Sequence, residues 1–195
     1  MATSGIAEAQ CKNGLSFSDL QHGFLSASDP SGALTIYRTG DGGRSWTGSR
    51  LPDPPGFVAG SAAQAVFVGP VRAFGATFLV EVIGEAVSGE TRFVFRSQDG
   101  GATWAYLATT PVPSSVAFVT ATRWLQLLLP GQTRETTDAG ASWHLYASDY
   151  GQAAPVPPQV VFGDPQIGYA TVRGSIRRTL DGGLHWTGIR TPGTS

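Results

Sequence analysis

Thr39-Gly-Asp-Gly-Gly-Arg-Ser-Trp46 returns three more times along the chain: as Ser97-Gln-Asp-Gly-Gly-Ala-Thr-Trp104, Thr136-Thr-Asp-Ala-Gly-Ala-Ser-Trp143 and Thr179-Leu-Asp-Gly-Gly-Leu-His-Trp186. Asp41, Asp99, Asp138 and Asp181 hold one offset, Gly43, Gly101, Gly140 and Gly183 a second, and Trp46, Trp104, Trp143 and Trp186 a third. Four of the five tryptophans therefore belong to one repeated octapeptide. Self-similarity at a period of roughly 40–50 residues marks a repeat architecture, so the repeat has to be read before any motif.

Each box has upstream partners. Leu15-Ser-Phe-Ser-Asp-Leu-Gln-His-Gly-Phe24 matches Val160-Val-Phe-Gly-Asp-Pro-Gln-Ile-Gly-Tyr169, with weaker versions at Ala65-Val-Phe-Val-Gly-Pro70 and Val116-Ala-Phe-Val-Thr-Ala121. A short segment precedes each box: Thr35-Ile-Tyr-Arg-Thr39, Phe93-Val-Phe-Arg-Ser97, Thr133-Arg-Glu-Thr136 and Ile176-Arg-Arg-Thr179. The unit reads as apolar strand, Gly turn, aromatic strand, loop, apolar strand, tight turn and Trp strand. Four short strands in roughly 40–55 residues is the period of a propeller blade. The expected fold is all-β, a β-propeller-like array of four four-stranded blades, either a closed four-bladed ring or half of a larger propeller. The expected blades are 13–51, 63–108, 114–147 and 158–190 of one repeat domain, 15–190, between flexible ends at 1–12 and 191–195.

The octapeptide has a local physical logic. A short Asp carboxylate accepts backbone N–H groups a few residues on and closes a turn. The glycines supply positive φ without steric cost. The Trp opens the next strand and buries its ring between sheets. The box aspartates are therefore expected to be structural. Ala139 stands where the other boxes have their first Gly, so box three should be the most strained turn.

Composition agrees. Gly (26) and Pro (13) make one fifth of the 195 residues, which disfavours helix interiors and suits strands joined by turns. Charged residues are 14% with a net charge of −1, which gives no electrostatic footprint for nucleic acid. The apolar stretches 74–83 and 124–129 are far shorter than the roughly 18 residues of a membrane span. Cys11 is the sole cysteine, which excludes an intrachain disulfide and a Cys-based zinc site. The N-terminus lacks the basic and apolar regions of a secretory signal, a reading compatible with a longer extracytoplasmic parent. Twelve Arg against one Lys reads as a GC-rich, bacterial coding bias.

With these residues in place, the [Ser/Thr]-x-Asp-x-Gly-x-[Ser/Thr/His]-Trp pattern resembles the Asp-box, or BNR, repeat of sialidase-like β-propellers. The longer form, Phe-x-Asp-x-x-x-Gly-[Phe/Tyr] followed by Arg-Thr-x-Asp-Gly-Gly-x-x-Trp, is most similar to the photosystem II stability/assembly factor-like branch. The resemblance implies boxes at the outer turn between the third and fourth strands, away from a central binding face. It also implies two functions: partner binding through arginines, or glycoside chemistry. The sialidase Arg-Ile-Pro motif is absent, and a sialidase needs more blades than this chain makes.

Outside the boxes, no carboxylate pair is marked as the facing acid and base of a glycosidase. The three histidines are scattered without metal-ligand spacing. No catalytic residue, metal or cofactor is assigned. Arg38, Arg96 and Arg178 share the position just before the box, where Glu135 stands in blade three, and Arg134 and Arg177 occupy the position before it. One reading pairs each arginine along its blade edge. The other makes the five a binding site for an anionic partner. The glutamates of 80–91, Glu81, Glu85 and Glu90, read as the solvated face of an extended hairpin. The function expected is a non-catalytic scaffold that binds protein; the alternative is a carbohydrate-binding or glycoside hydrolase module or fragment. A homodimer, or further blades in a longer chain, would cover the end blades.

Overall fold

The computed structural model describes residues 5–6, 9–58, 60–61, 64–128, 131–151, 158–172 and 174–190. Among them there are seventeen strands and no helix. Blade one consists of β1 (Cys11–Phe17), β2 (Gly23–Ser28), β3 (Leu34–Thr39) and β4 (Thr47–Arg50). Blade two consists of β5 (Gln64–Val68), β6 (Arg72–Phe74), β7 (Thr77–Ala86), β8 (Gly89–Ser97) and β9 (Ala105–Thr109). Blade three has β10 (Ala117–Phe118), β11 (Trp124–Gln126), β12 (Arg134–Thr136) and β13 (His144–Leu145). Blade four has β14 (Gln159–Phe162), β15 (Gly168–Val172), β16 (Ser175–Thr179) and β17 (Thr187–Ile189). Every sheet is an antiparallel meander whose strands pair in chain order, apart from β6 at the edge of blade two.

Two departures from the sequence reading have local causes. Blade two carries a fifth strand. β7 runs ten residues, longer than its neighbours need, and Arg72–Phe74 folds back on its free end through the turn at Gly75, φ 60°. β1 begins at Cys11, inside the stretch expected to be a flexible end. The other expected end, 191–195, lies outside the described residues.

The repeated Phe and Gly of the first hairpin explain each other. Phe17 pairs with Gly23, and Phe162 with Gly168, across the first two strands. A Cβ on Gly23 would lie 2.6 Å from Phe17 Cε1, and one on Gly168 would lie 2.7 Å from Phe162 Cε1. The ring takes the space of the missing side chain, so only glycine fits opposite it.

The chain divides into two compact units, Met1–Pro113 and Ser114–Ser195, each holding two blades. In the first, Phe24, Leu34 and Ile36 of blade one pack with Val68, Val80, Val82, Phe93, Phe95 and Trp104 of blade two. Leu51 and Phe57 of the connector close that core. In the second, Ala117, Val119, Leu125 and Leu127 of blade three meet Val160, Phe162, Ala170 and Trp186 of blade four, with Tyr150 from the segment between them. Strand alternation sends one row of side chains of each blade toward its neighbour within the unit.

Candidate functional site

The box turn is built from two side chains acting together. In each copy the hydroxyl two residues before the Asp donates to Oδ1: Thr39 to Asp41 at 2.8 Å, Ser97 to Asp99 at 2.8 Å, Thr136 to Asp138 at 2.7 Å and Thr179 to Asp181 at 2.8 Å. The hydroxyl oxygen itself accepts the N–H of the second glycine, 2.9 Å in all four boxes. The carboxylate then reaches four residues on, where Oδ1 accepts the backbone N–H of Ser45, Thr103, Ser142 or His185 at 2.9 Å. Oδ2 takes the side chain of that residue at 2.6 Å. The carboxylate's reach is longer than the one to three residues of a simple Asx turn, and the leading Ser or Thr is the hub of the turn. Sequence reasoning missed that hub, although its presence in all four copies was visible.

These bonds favour the ionised acid. The Ser45 hydroxyl and N–H, then Thr39, hold Asp41 at a pKa of about 2; the equivalent groups do the same for Asp99 and Asp138. At Asp181 burial opposes ionisation, but bonds from His185 and Thr179 outweigh it and bring the group to about 2. The contact with Asp181 raises the His185 pKa in turn. Both φ values of the glycine pair are positive in boxes one, two and four, and Ala139 takes φ 59° in box three, the sole non-glycine at positive φ among the described residues.

A second turn supports the box. Asp19 Oδ1 accepts Gln21 and His22 N–H at 2.7 and 2.8 Å, and Asp164 Oδ1 accepts Gln166 and Ile167 at the same distances. Thr120 does this work in blade three. The turn then presents a carbonyl to the box: Gly42 N–H donates to Gln21, Ala139 to Thr122 and Gly182 to Gln166.

The pleat divides the five arginines singled out from sequence. Arg38, Arg96 and Arg178 stand opposite Phe24, Leu79 and Tyr169 on one face of their blades. Arg134 and Arg177 are one position earlier and point to the opposite face. Arg38 Nη1 donates to Gly100 O in blade two at 3.4 Å. The Arg177 guanidinium lies 5.8 Å over the Tyr150 ring. In blade three Glu135 occupies the arginine position, and Arg123, which sequence reasoning overlooked, supplies the cation. Its Nε donates to Glu135 Oε1 at 2.6 Å and its Nη2 to Gly182 O at 2.8 Å. His144 Nε2 holds the other Glu135 oxygen at 2.9 Å. The one sign in the sequence was an acid in a column of bases, which requires a cation from elsewhere.

On the long β7–β8 hairpin Glu85 and Glu90 are exposed, as expected, and Glu81 is half-buried. Buried Arg92 draws Glu81 to 3.3 Å and Glu90 to 2.8 Å.

The first unit has an open groove of about 440 Å³, lined by Ser49, Arg50, Leu51, Pro52, Asp53, Thr103 and Trp104. In the second unit the segment after blade three packs on the box Trp of blade four. Tyr150 stands edge-on to Trp186 at 5.4 Å, Ser148 Oγ donates to Gly183 O at 2.6 Å, and Asp149 Oδ1 accepts Trp186 N–H at 2.8 Å. Beside Trp104, whose indole is buried in the core of the first unit, Ser49 Oγ donates to Ala102 O at 2.7 Å. Arg50 meets Asp53 only at 3.9 Å, with both side chains open to solvent. Among the described residues no three His, Cys, Asp or Glu cluster as metal ligands, and no helix is long and apolar enough to cross a membrane.

Compared by sequence, the chain matches no family model and no curated protein. Solved structures match it by fold. YCF48 from Cyanidioschyzon merolae superposes with a TM-score of 0.59 at 19% identity, covering 97% of this chain and 60% of that one. YCF48 bound to D1 peptide gives 0.54 at 18%, covering 96% and 56%. The Hadza microbial sialidase Hz136 gives 0.58 at 16%, covering 85% and 41%. The chain thus has the β-propeller fold and spans at most about 60% of the length of these structures.

Proposed function

We propose that this chain is a non-catalytic propeller module that binds protein, and that it takes an extended acidic-aromatic peptide in the groove beside Trp104. The observation that carries the non-catalytic reading is how the carboxylates are used. Asp19, Asp29 and Asp164 close turns, the four box aspartates hold theirs, and Asp149 caps the Trp186 N–H. Asp53, Glu81, Glu90 and Glu135 face arginines. Of the described carboxylates Glu85 alone has no such role, and glycoside hydrolysis needs two.

Peptide binding is supported by the chain's own example. In the second unit Asp149 and Tyr150 pack on a box Trp, and the open groove of the first unit offers exposed Arg50 as a partner for a peptide carboxylate. A solved propeller of the same fold, YCF48, is described bound to a peptide. The sialidase supports the alternative, a carbohydrate module.

The test uses a labelled peptide with the sequence of residues 147–151, Ala-Ser-Asp-Tyr-Gly, titrated by fluorescence anisotropy beside a panel of glycans. The expected result is saturable peptide binding, weakened about tenfold by Arg50→Glu, which reverses the charge facing the peptide carboxylate. Glycan binding without peptide binding would overturn the proposal.

A further inference from the structure

Packing between blades follows one rule inside each unit. Phe24 of blade one sits against Gly101 of blade two, where a Cβ would come within 2.6 Å of Phe24 Cε1. Leu125 of blade three, in the same repeat position, sits against Gly183 of blade four, where a Cβ would come within 2.6 Å of Leu125 Cδ1. A guanidinium beside each knob donates to the carbonyl of the preceding glycine: Arg38 to Gly100, and Arg123 to Gly182. A blade thus presents a knob and a guanidinium forward, and the next blade presents a glycine pair to the rear.

Blade four carries the same forward parts, and they are exposed. Tyr169 is its knob and stands opposite Arg178. Tyr169 is 38% exposed, and Val161 and Ile189 on the same face are 39% and 36% exposed. Blade one carries the rear parts in the same condition. The nearest neighbours of a Cβ on Gly43 would be Trp46 and Phe17 of its own blade, at 3.5 and 3.9 Å. Leu15 is 61% exposed and Phe17 46%, whereas Val160 and Phe162, their equivalents in blade four, are half-buried against blade three. Gln10 reaches the margin of this face and accepts from the Tyr37 hydroxyl at 2.6 Å, leaving Leu15 and Phe17 open.

We propose that the forward face of blade four docks on the rear face of blade one in a second copy of this chain, with Tyr169 seated on Gly43 and Arg178 donating to the Gly42 carbonyl. Each copy holds a knob face on blade four and a glycine face on blade one, so two copies joined head to tail bring each knob to a glycine pair, and a net charge of −1 sets little repulsion between them. What covers the faces is stated by the chain itself, since both joints inside the units use these parts.

Light scattering on the eluting 195-residue protein tests this. The expected mass is twice that of one chain. Tyr169→Glu and Phe17→Glu, each at an exposed site, are both expected to give single chains with unchanged circular dichroism. An equimolar mixture of the two variants is expected to recover dimer, because each mixed pair keeps one intact joint. Leu15→Ser and Arg178→Ala serve as milder substitutions should either glutamate variant fail to fold. A wild-type mass of one chain overturns the proposal, as does a dimer indifferent to both faces or unrestored by mixing.

Discussion

Ala139 puts a number on what a glycine does in this turn. Its φ of 59° lies where an L side chain crowds its own backbone, at a cost of about 1–2 kcal/mol that glycine avoids. Glycine returns part of that by losing more freedom on folding. Ala139→Gly is therefore expected to raise stability by about 1 kcal/mol, read as a shift of the urea midpoint at constant slope. Ser97 makes the complementary case. Its buried hydroxyl donates to Asp99 and accepts two N–H groups, so Ser97→Ala strands the Gly101 N–H and leaves Asp99 Oδ1 with the Thr103 N–H alone. The expected loss is about 1–3 kcal/mol by the same measurement. Asp, Gly and Trp were legible from fixed offsets alone, because turn chemistry is local. The hub hydroxyl was equally local and stood at the head of the pattern, but its role was missed because a Ser or Thr before a turn has many possible bonds.

At the scale of the blade, the meander and the position of each box were legible, since four strands and their turns lie within one stretch of chain. What crosses from one blade to the next was not. Arg123 answers Glu135 and grips Gly182, a residue in another blade, and no local pattern announces that. The extra strand β6 was missed for the same reason: it depends on spare edge in a partner strand. The non-local contacts make sharp predictions. Gly101→Ala puts a Cβ into the Phe24 ring as well as at positive φ, while Gly43→Ala meets Trp46 at an ordinary contact distance of 3.5 Å. Gly43→Ala is expected to cost about 1 kcal/mol of strain and Gly101→Ala about 2–4 kcal/mol, compared in one denaturation series. Arg123→Met would leave Glu135, nearly fully buried, with His144 alone. A loss of about 3–5 kcal/mol is expected, and Glu135→Leu in the same chain should recover much of it.

Across the whole molecule the four boxes titrate as a set, and Asp19 joins them. All five carboxylates sit near pKa 2 in the folded chain, against an ordinary 3.8. A depressed folded pKa means that the unfolded chain binds the proton first, so this stabilisation is complete above pH 3.8 and is lost as pH falls through about 2. The urea midpoint is expected to hold between pH 5 and 7 as far as these groups decide it and to fall steeply between pH 4 and 2. His185 works in the other direction. Its folded pKa is raised above 6.5 by Asp181, so its contribution is complete below 6.5 and is lost as pH rises through the raised value. His185→Ser, which restores the residue found in boxes one and three, should remove that alkaline decline and leave the acid limb in place, because Ser45 and Ser142 hold their aspartates as firmly. Asp99→Asn should lower stability at neutral pH and take its share out of the acid limb, since a neutral amide has no proton to gain. An acid limb of undiminished slope in that variant would mean that the box carboxylates do not set the acid stability of the molecule.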